Sequence, residues 1–113
     1  MMRALLLALL LLATPAAASD AYWARPDSLP EHFAKHGEEV GARSPREYVQ
    51  LAARLLQRAE RGEIPLKVAR DGTMRAYDPA TRLFGAYNRD GGIRTLFVAR
   101  DPHYFDRQPG QLK

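Results

Sequence analysis

The hydrophobic period of this chain changes at Ile64, and that change restricts the fold more than any single motif. Before it, Tyr48, Leu51, Ala52, Leu55, Leu56 and Ala59 fall at i, i+3, i+4, i+7, i+8 and i+11, one face of an α-helix. Ser44-Pro45-Arg46-Glu47 supplies the start signal, with a capping hydroxyl and a proline whose missing N–H costs nothing in the first turn. Gly62 supplies the stop, and Arg46, Gln50, Arg54, Gln57 and Arg61 make the solvated face. After Ile64 come short runs, Leu66 to Arg70, Thr73 to Tyr77, Leu83 to Tyr87 and Ile93 to Ala99. Asp71-Gly72, Asp78-Pro79-Ala80-Thr81 and Asp90-Gly91-Gly92 separate them, and all three are turn sequences. Helix first and hairpins after predict an α+β fold, with N-terminal helices packed on one face of a four-stranded antiparallel β-meander.

Alternation assigns faces to these strands. Met74, Ala76, Phe84, Ala86, Leu96 and Val98 are expected against the long helix, and Thr73, Arg75, Tyr77, Tyr87, Thr95 and Phe97 on the other face. That second face is too aromatic for a purely solvated surface and is a candidate binding surface. A shorter helix is expected from Leu29 to His36, opened by Ser28-Leu29-Pro30-Glu31 and ended by Gly37 in a left-handed conformation. The tail Asp101-Pro102-His103-Tyr104-Phe105-Asp106 is expected to pack across a sheet edge.

Met1-Met2-Arg3, the apolar run Ala4 to Ala13, and Thr14-Pro15-Ala16-Ala17-Ala18-Ser19 read as a signal peptide over residues 1–18, cleaved after Ala18. The run is shorter than the roughly 20 residues needed to span a bilayer. Residues 19–113 are then one small domain, secreted or periplasmic and free of the membrane after cleavage. The chain has no cysteine, so packing and hydrogen bonds must hold that domain without disulfides.

The net charge of +4 is unevenly placed. Residues 20–63 carry seven Lys/Arg against eight Asp/Glu, whereas residues 64–113 carry nine against five. All the basic residues except Lys35, Lys67 and Lys113 are arginine, whose planar fork suits phosphate and whose face stacks on bases. His32 and His36 stand at the i, i+4 spacing of two metal ligands on one helix face. The position after His32 is Phe33 rather than the glutamate of a zinc protease, and spacing nominates no third ligand among Glu39, Asp78 and His103. No metal and no cofactor is assigned. Cysteine nucleophiles are excluded by composition, and Ser28 and Ser44 are better explained as helix caps than as acyl-transfer nucleophiles.

Metal-free RNA cleavage asks for less. A base removes the 2′-hydroxyl proton, a cation or donors stabilise the phosphorane, and an acid protonates the departing 5′ oxygen. Histidine as a residue type can exchange protons near neutrality, which makes His36 a candidate acid or base. Lys35 beside it can neutralise phosphate, and the Thr95 hydroxyl can donate to a non-bridging oxygen.

The order of motifs adds to this. The run is His32-Phe33-x-Lys35-His36-Gly37-x-Glu39-x-Gly41, then Ser44-x-x-Glu47-Tyr48, then Tyr77-Asp78-Pro79-x-Thr81, Phe84-Gly85, and Asp90-Gly91-Gly92-Ile93-x-Thr95-x-Phe97. It resembles the C-terminal toxin domains of bacterial polymorphic and contact-dependent inhibition systems. Within them it is similar to the colicin D-like branch of the barnase/EndoU/colicin/RelE-like (BECR) ribonuclease fold, over Leu29 to Phe105. The resemblance implies helices on one face of a small antiparallel sheet and a cleft near the Lys-His pair. It implies His36 as general acid/base, Lys35 as phosphate-stabilising cation, Thr95 as the cleft hydroxyl and Phe97 as its aromatic. Colicin D has a further lysine where this chain has Phe33, leaving Arg75 and Arg94 as alternative cations. His32 is a position typical of the contact-inhibition relatives and is assigned to substrate positioning, together with Arg75, Tyr77, Tyr87, Arg94 and Phe97.

The expected function is therefore a secreted, metal-independent endoribonuclease-like toxin domain. It would cut RNA, with tRNA a candidate, to a 2′,3′-cyclic phosphate, and be restrained by an acidic immunity protein. The alternative is a catalytically silent secreted or periplasmic binding domain that offers the basic aromatic sheet face to an acidic partner. A third reading is an envelope protein with an uncleaved anchor. A signal peptide directly ahead of the domain is unusual for delivered toxins, which ride at the end of a large carrier.

Overall fold

A computed structural model describes residues 21–113. The signal peptide read at residues 1–18 lies outside the described residues. A short 3₁₀ turn, Pro26–Ser28, leads into α1 (Leu29–His36), and α2 (Pro45–Glu60) follows. Strands β1 (Leu66–Val68), β2 (Met74–Asp78), β3 (Leu83–Tyr87), β4 (Ile93–Val98) and β5 (Gln111–Leu112) complete an α+β fold. The sheet order is β4-β3-β2-β1-β5 with every neighbour antiparallel, so the predicted meander gains a fifth strand at the β1 edge.

The second helix forms where its caps place it. Ser44 Oγ accepts from the Glu47 N–H at 3.1 Å, and Gly62, at φ 81°, reverses the chain after the last turn. Its buried stripe of Tyr48, Ala52, Leu55, Leu56 and Ala59 packs with Leu66, Ala76, Tyr87, Ile93 and Leu96 as the main core.

The first helix begins and ends differently from its sequence signals. Ser28 is already in the right-handed helical region, so its hydroxyl does not cap; it accepts from Trp23 Nε1 and donates to the Arg25 carbonyl, each at 2.9 Å. Gly37 has φ −57°, and the left-handed residue is Gly41, at φ 84°. Glycine is needed at 37 because a Cβ there would lie 2.6 Å from the Phe33 ring, which leans over it to meet Tyr48.

Alternation fails in one strand, β3, whereas β2 and β4 turn Met74, Ala76 and Leu96 toward the helix and Tyr77 and Phe97 away from it, as expected. A bulge beside β3 pairs Ala86 with Thr95 but Tyr87 with Ile93, leaving Arg94 as the extra residue. Ile93 and Leu96 both enter the main core as a result. Phe84 and Ala86, expected against the helix, belong to a second cluster on the opposite face with Tyr77 and Phe105. Tyr87, expected on the open face, is buried beneath α2 and its hydroxyl donates to the Ala52 carbonyl at 2.8 Å.

The tail does not stop at an edge. Phe105 stacks on Tyr77 with ring centroids 5.3 Å apart, and Tyr104 packs edge-on to both Phe84 and Phe97. Lys67 holds this strap from below. Its Nζ donates to the carbonyls of Phe105 and Asp106 at 2.9 Å and of Gln108 at 3.1 Å, with the Phe105 ring centroid 5.0 Å away. The three ammonium donors of a buried lysine are thereby satisfied by backbone.

The β4 edge is covered as well. Ile93 exchanges backbone hydrogen bonds with Tyr22 and Ala24, Leu96 accepts from the buried Tyr48 hydroxyl, and Val98 donates to Glu39 Oε2. Helix α1 thus lies along this edge, its apolar residues Leu29 and Phe33 turned to the core and its histidines turned to the far face of β4.

Candidate active site at the first helix and the β4 edge

Along α1 the i, i+4 spacing stacks His32 over His36, with ring centroids 6.4 Å apart. Each ring meets one residue of β4. Thr95 Oγ1 lies 3.4 Å from His32 Nδ1, and the Phe97 ring is 5.5 Å from that of His36. Glu31, His32, Lys35 and His36 line a cleft of about 230 Å³. The predicted Lys-His pair, the second histidine and Thr95 are therefore brought together, with Phe97 at the border.

The two imidazoles are held differently. His36 Nδ1 is 2.9 Å from Glu39 Oε2, and the same oxygen accepts from the Val98 N–H at 3.0 Å. A carboxylate can only accept, so Nδ1 of His36 carries the hydrogen and Nε2 is left for other chemistry. The carboxylate also ties the end of α1 to β4, fixing the ring relative to Thr95. His32 has no such partner among the described residues: it sits edge-on to Trp23, with centroids 5.0 Å apart. Burial lowers its pKa below the usual imidazole value, the positive ends of His36 and Lys35 lower it further, and Glu31 opposes them.

This shift has a measurable sign. His32 is expected to titrate below 6.5, so any stability tied to its neutral form is present above that pH and is lost as pH falls through its folded value. Histidine ring resonances followed by NMR across pH 4 to 8 should show His32 as depressed. A His32 midpoint at or above the free-imidazole value would contradict the burial seen here.

Other predicted residues are placed elsewhere. Arg94, thrown outward by the bulge, lines a second cleft that shares His32 with the first. Arg75 lies two strands from Thr95, with Ala86 between them, and its guanidinium turns back to Thr73 Oγ1 at 2.7 Å. Its Nε is buried without a partner among the described residues. Tyr77 is covered by Phe105 and Tyr87 by α2, so neither is available to a substrate in this arrangement. The open aromatic face of the binding-domain alternative is likewise roofed by Tyr104 and Phe105.

The three residues considered as a third metal ligand have other occupations. Glu39 holds His36, and His103 lies 3.4 Å from Asp106. Asp78 pairs with Arg58 at 2.8 Å; burial pushes its carboxyl up, but hydrogen bonds from Arg58 and the Ala80 N–H outweigh it and hold the pKa below the usual range. Among the described residues, no group of three or more metal-ligating side chains converges, and no helix is long and apolar enough to cross a membrane.

Glu39 as the orienting residue of His36 was missed in the sequence, although the His-x-x-Glu spacing was visible there. Trp23, the wall behind His32, carries no local signal at all, because it reaches the site through the bridge between Trp23 and Ile93. No protein-family model matches the chain, and a search of curated proteins finds no match.

Proposed function

We propose that this domain is a metal-independent endoribonuclease of the colicin D-like, BECR-fold type, acting on RNA outside the cytoplasm of its producer after loss of the leader. The observation that carries this reading is the pair of imidazoles on one cleft, one half-buried edge-on to Trp23 and the other held by the Glu39 carboxylate, with an ammonium beside them.

The geometry supports the following division of roles. His32, whose partial burial favours the neutral ring, takes the 2′-hydroxyl proton as the 2′ oxygen attacks phosphorus. Lys35 and the Thr95 hydroxyl stabilise the added charge on the non-bridging oxygens. His36 Nε2, its other nitrogen held by Glu39, gives a proton to the 5′ oxygen as that bond breaks. The products are a 2′,3′-cyclic phosphate and a 5′-hydroxyl. The general base thereby moves from His36 to His32, which sequence reasoning had left to substrate positioning. An acidic immunity protein would be complementary to the rim formed by Lys35, Arg25 and Arg94.

The test is cleavage of bulk tRNA by the purified domain in excess EDTA, with the new ends identified. Cyclic phosphate and 5′-hydroxyl ends are expected. Intact RNA at micromolar protein, or cleavage that requires a divalent metal, would sink the proposal.

A further inference from the structure

His32 is a shared wall. On one side lies the small cleft with Lys35 and His36, and on the other a larger one of about 460 Å³. That volume is within the range of small-molecule sites, roughly 300–1,000 Å³, and matches one nucleoside with room for water. Its apolar surface comes from Trp23 and Ile93, and beside His32 its polar groups are Arg25, Arg94, Asn88, Ser28 and the Glu31 carboxylate, so two guanidinium groups face one acidic side chain.

These groups converge for structural reasons. Asn88 ends β3 in a turn whose backbone is closed by Asn88 N–H to the Gly92 carbonyl at 2.8 Å and Gly91 N–H to the Asn88 carbonyl at 2.9 Å. Gly91, at φ 93°, allows that closure. The Asn88 backbone is therefore fixed, while its side-chain amide makes no hydrogen bond among the described residues. A side-chain amide offers both a donor and an acceptor, the pattern that pairs with a base edge. Arg94 is aimed here by the bulge, and bulges re-aim side chains next to sites. It forms no ion pair among the described residues, and Arg25 has only an exposed contact to Asp27 at 4.0 Å.

We infer that the Trp23–Asn88–Arg94 cleft is a nucleoside subsite, holding the base of the nucleotide adjacent to the scissile phosphate and gripping that nucleotide's outer phosphate with Arg25 and Arg94. This rests on the ribonuclease reading for the position of the scissile phosphate, but the binding itself needs no cleavage. Asn88 is the specificity-determining residue, because it is the side-chain amide within reach of a base edge. Arg94 acts mainly on affinity, since phosphate contacts position without reading sequence.

Trp23 is the chain's single tryptophan, so the subsite carries its own reporter. The purified protein is titrated with each of the four nucleoside 3′,5′-bisphosphates, which present one base between two phosphates, and with inorganic phosphate alone. Saturable change in Trp23 emission is expected with the bisphosphates, with affinities that differ among the bases. Arg94→Ala should weaken all four about tenfold, and Asn88→Ala should compress the differences between bases by a similar factor. Asn88→Asp, which keeps the size and removes the donor, should reorder the base preference; thermal melts check that each variant is folded.

Equal responses to bisphosphates and to phosphate alone, or base preferences unmoved in both Asn88 variants, would overturn the inference. Nucleotide binding without RNA cleavage would leave the subsite standing and count against the ribonuclease proposal. Cleavage with no Trp23 response would do the reverse.

Discussion

Replacing His36 with alanine is expected to lower RNA cleavage by about 10²–10⁴-fold, the range a positioned acid or base contributes. The circular dichroism spectrum should be unchanged, because the imidazole is partly exposed and its loss removes no core residue. Glu39→Gln is the informative companion. It keeps the shape and can still accept from Val98, but it replaces the carboxylate that orients the imidazole through Nδ1. A smaller loss than in His36→Ala is expected. His32→Ala should be as damaging as His36→Ala if the two are base and acid of one reaction, and the double variant should be little worse than either. Cleavage retained at the native rate in His36→Ala would remove the imidazole pair from the chemistry.

The second large effect is on stability and lies toward the opposite edge of the sheet, on the same face as Thr95. Lys67→Met keeps most of the aliphatic stem but leaves the carbonyls of Phe105, Asp106 and Gln108 without their donor. Stranded acceptors of this kind cost about 2–3 kcal/mol in sum when only partly exposed. For a domain under 100 residues each kcal/mol is about 4–8 °C in melting temperature, so a fall of roughly 10–20 °C is expected. The strap should also loosen before global unfolding, since its hold on the sheet is Lys67 and the stacking of Phe105 on Tyr77. Limited trypsin digestion should then cut at Arg107 in the variant well before it does so in the native protein. A melting temperature within about 2 °C of native would show that the lysine is not what fixes the strap.

The architecture was legible because helix and strand periods are local properties. Ser44 and Gly62 bracket α2 in the structure as in the sequence, and the three aspartate-led turns fall between the strands they were read to join. The face assignments were less secure. The bulge at Arg94 leaves Leu96 and Phe97 on the faces their alternation predicts, and it is β3 that is inverted, with Tyr87 against α2 and Phe84 and Ala86 away from it. Phe84 and Ala86 were assigned inward because apolar residues are presumed to face the helix, yet the strap formed by Tyr104 and Phe105 supplies a second apolar layer. A small sheet sealed on both faces defeats simple alternation.

The candidate site was legible in part for the same reason. Lys35 and His36 are neighbours in sequence, and His32 is one turn away, so their grouping is a helical consequence. Their partners are not local. Thr95 is 63 residues from His32, and Glu39 reaches His36 and Val98 together only because α1 lies along the β4 edge. Tyr77 and Tyr87 were read as surface aromatics and are packing residues, one beneath the strap and one beneath α2.

By itself the sequence determined which segments are helix and which are hairpin, where they begin and end within a few residues, and that one short helix carries two imidazoles and an ammonium on a single face. Tertiary structure alone decided which strand edge that helix covers, which carboxylate orients His36, that a C-terminal strap closes the second face of the sheet, and that Trp23, Asn88 and Arg94 meet behind His32. The first set depends on backbone sterics and periodicity over a few residues. The second depends on register, a one-residue bulge and a C-terminal strap, contacts made across the whole chain that no local window contains.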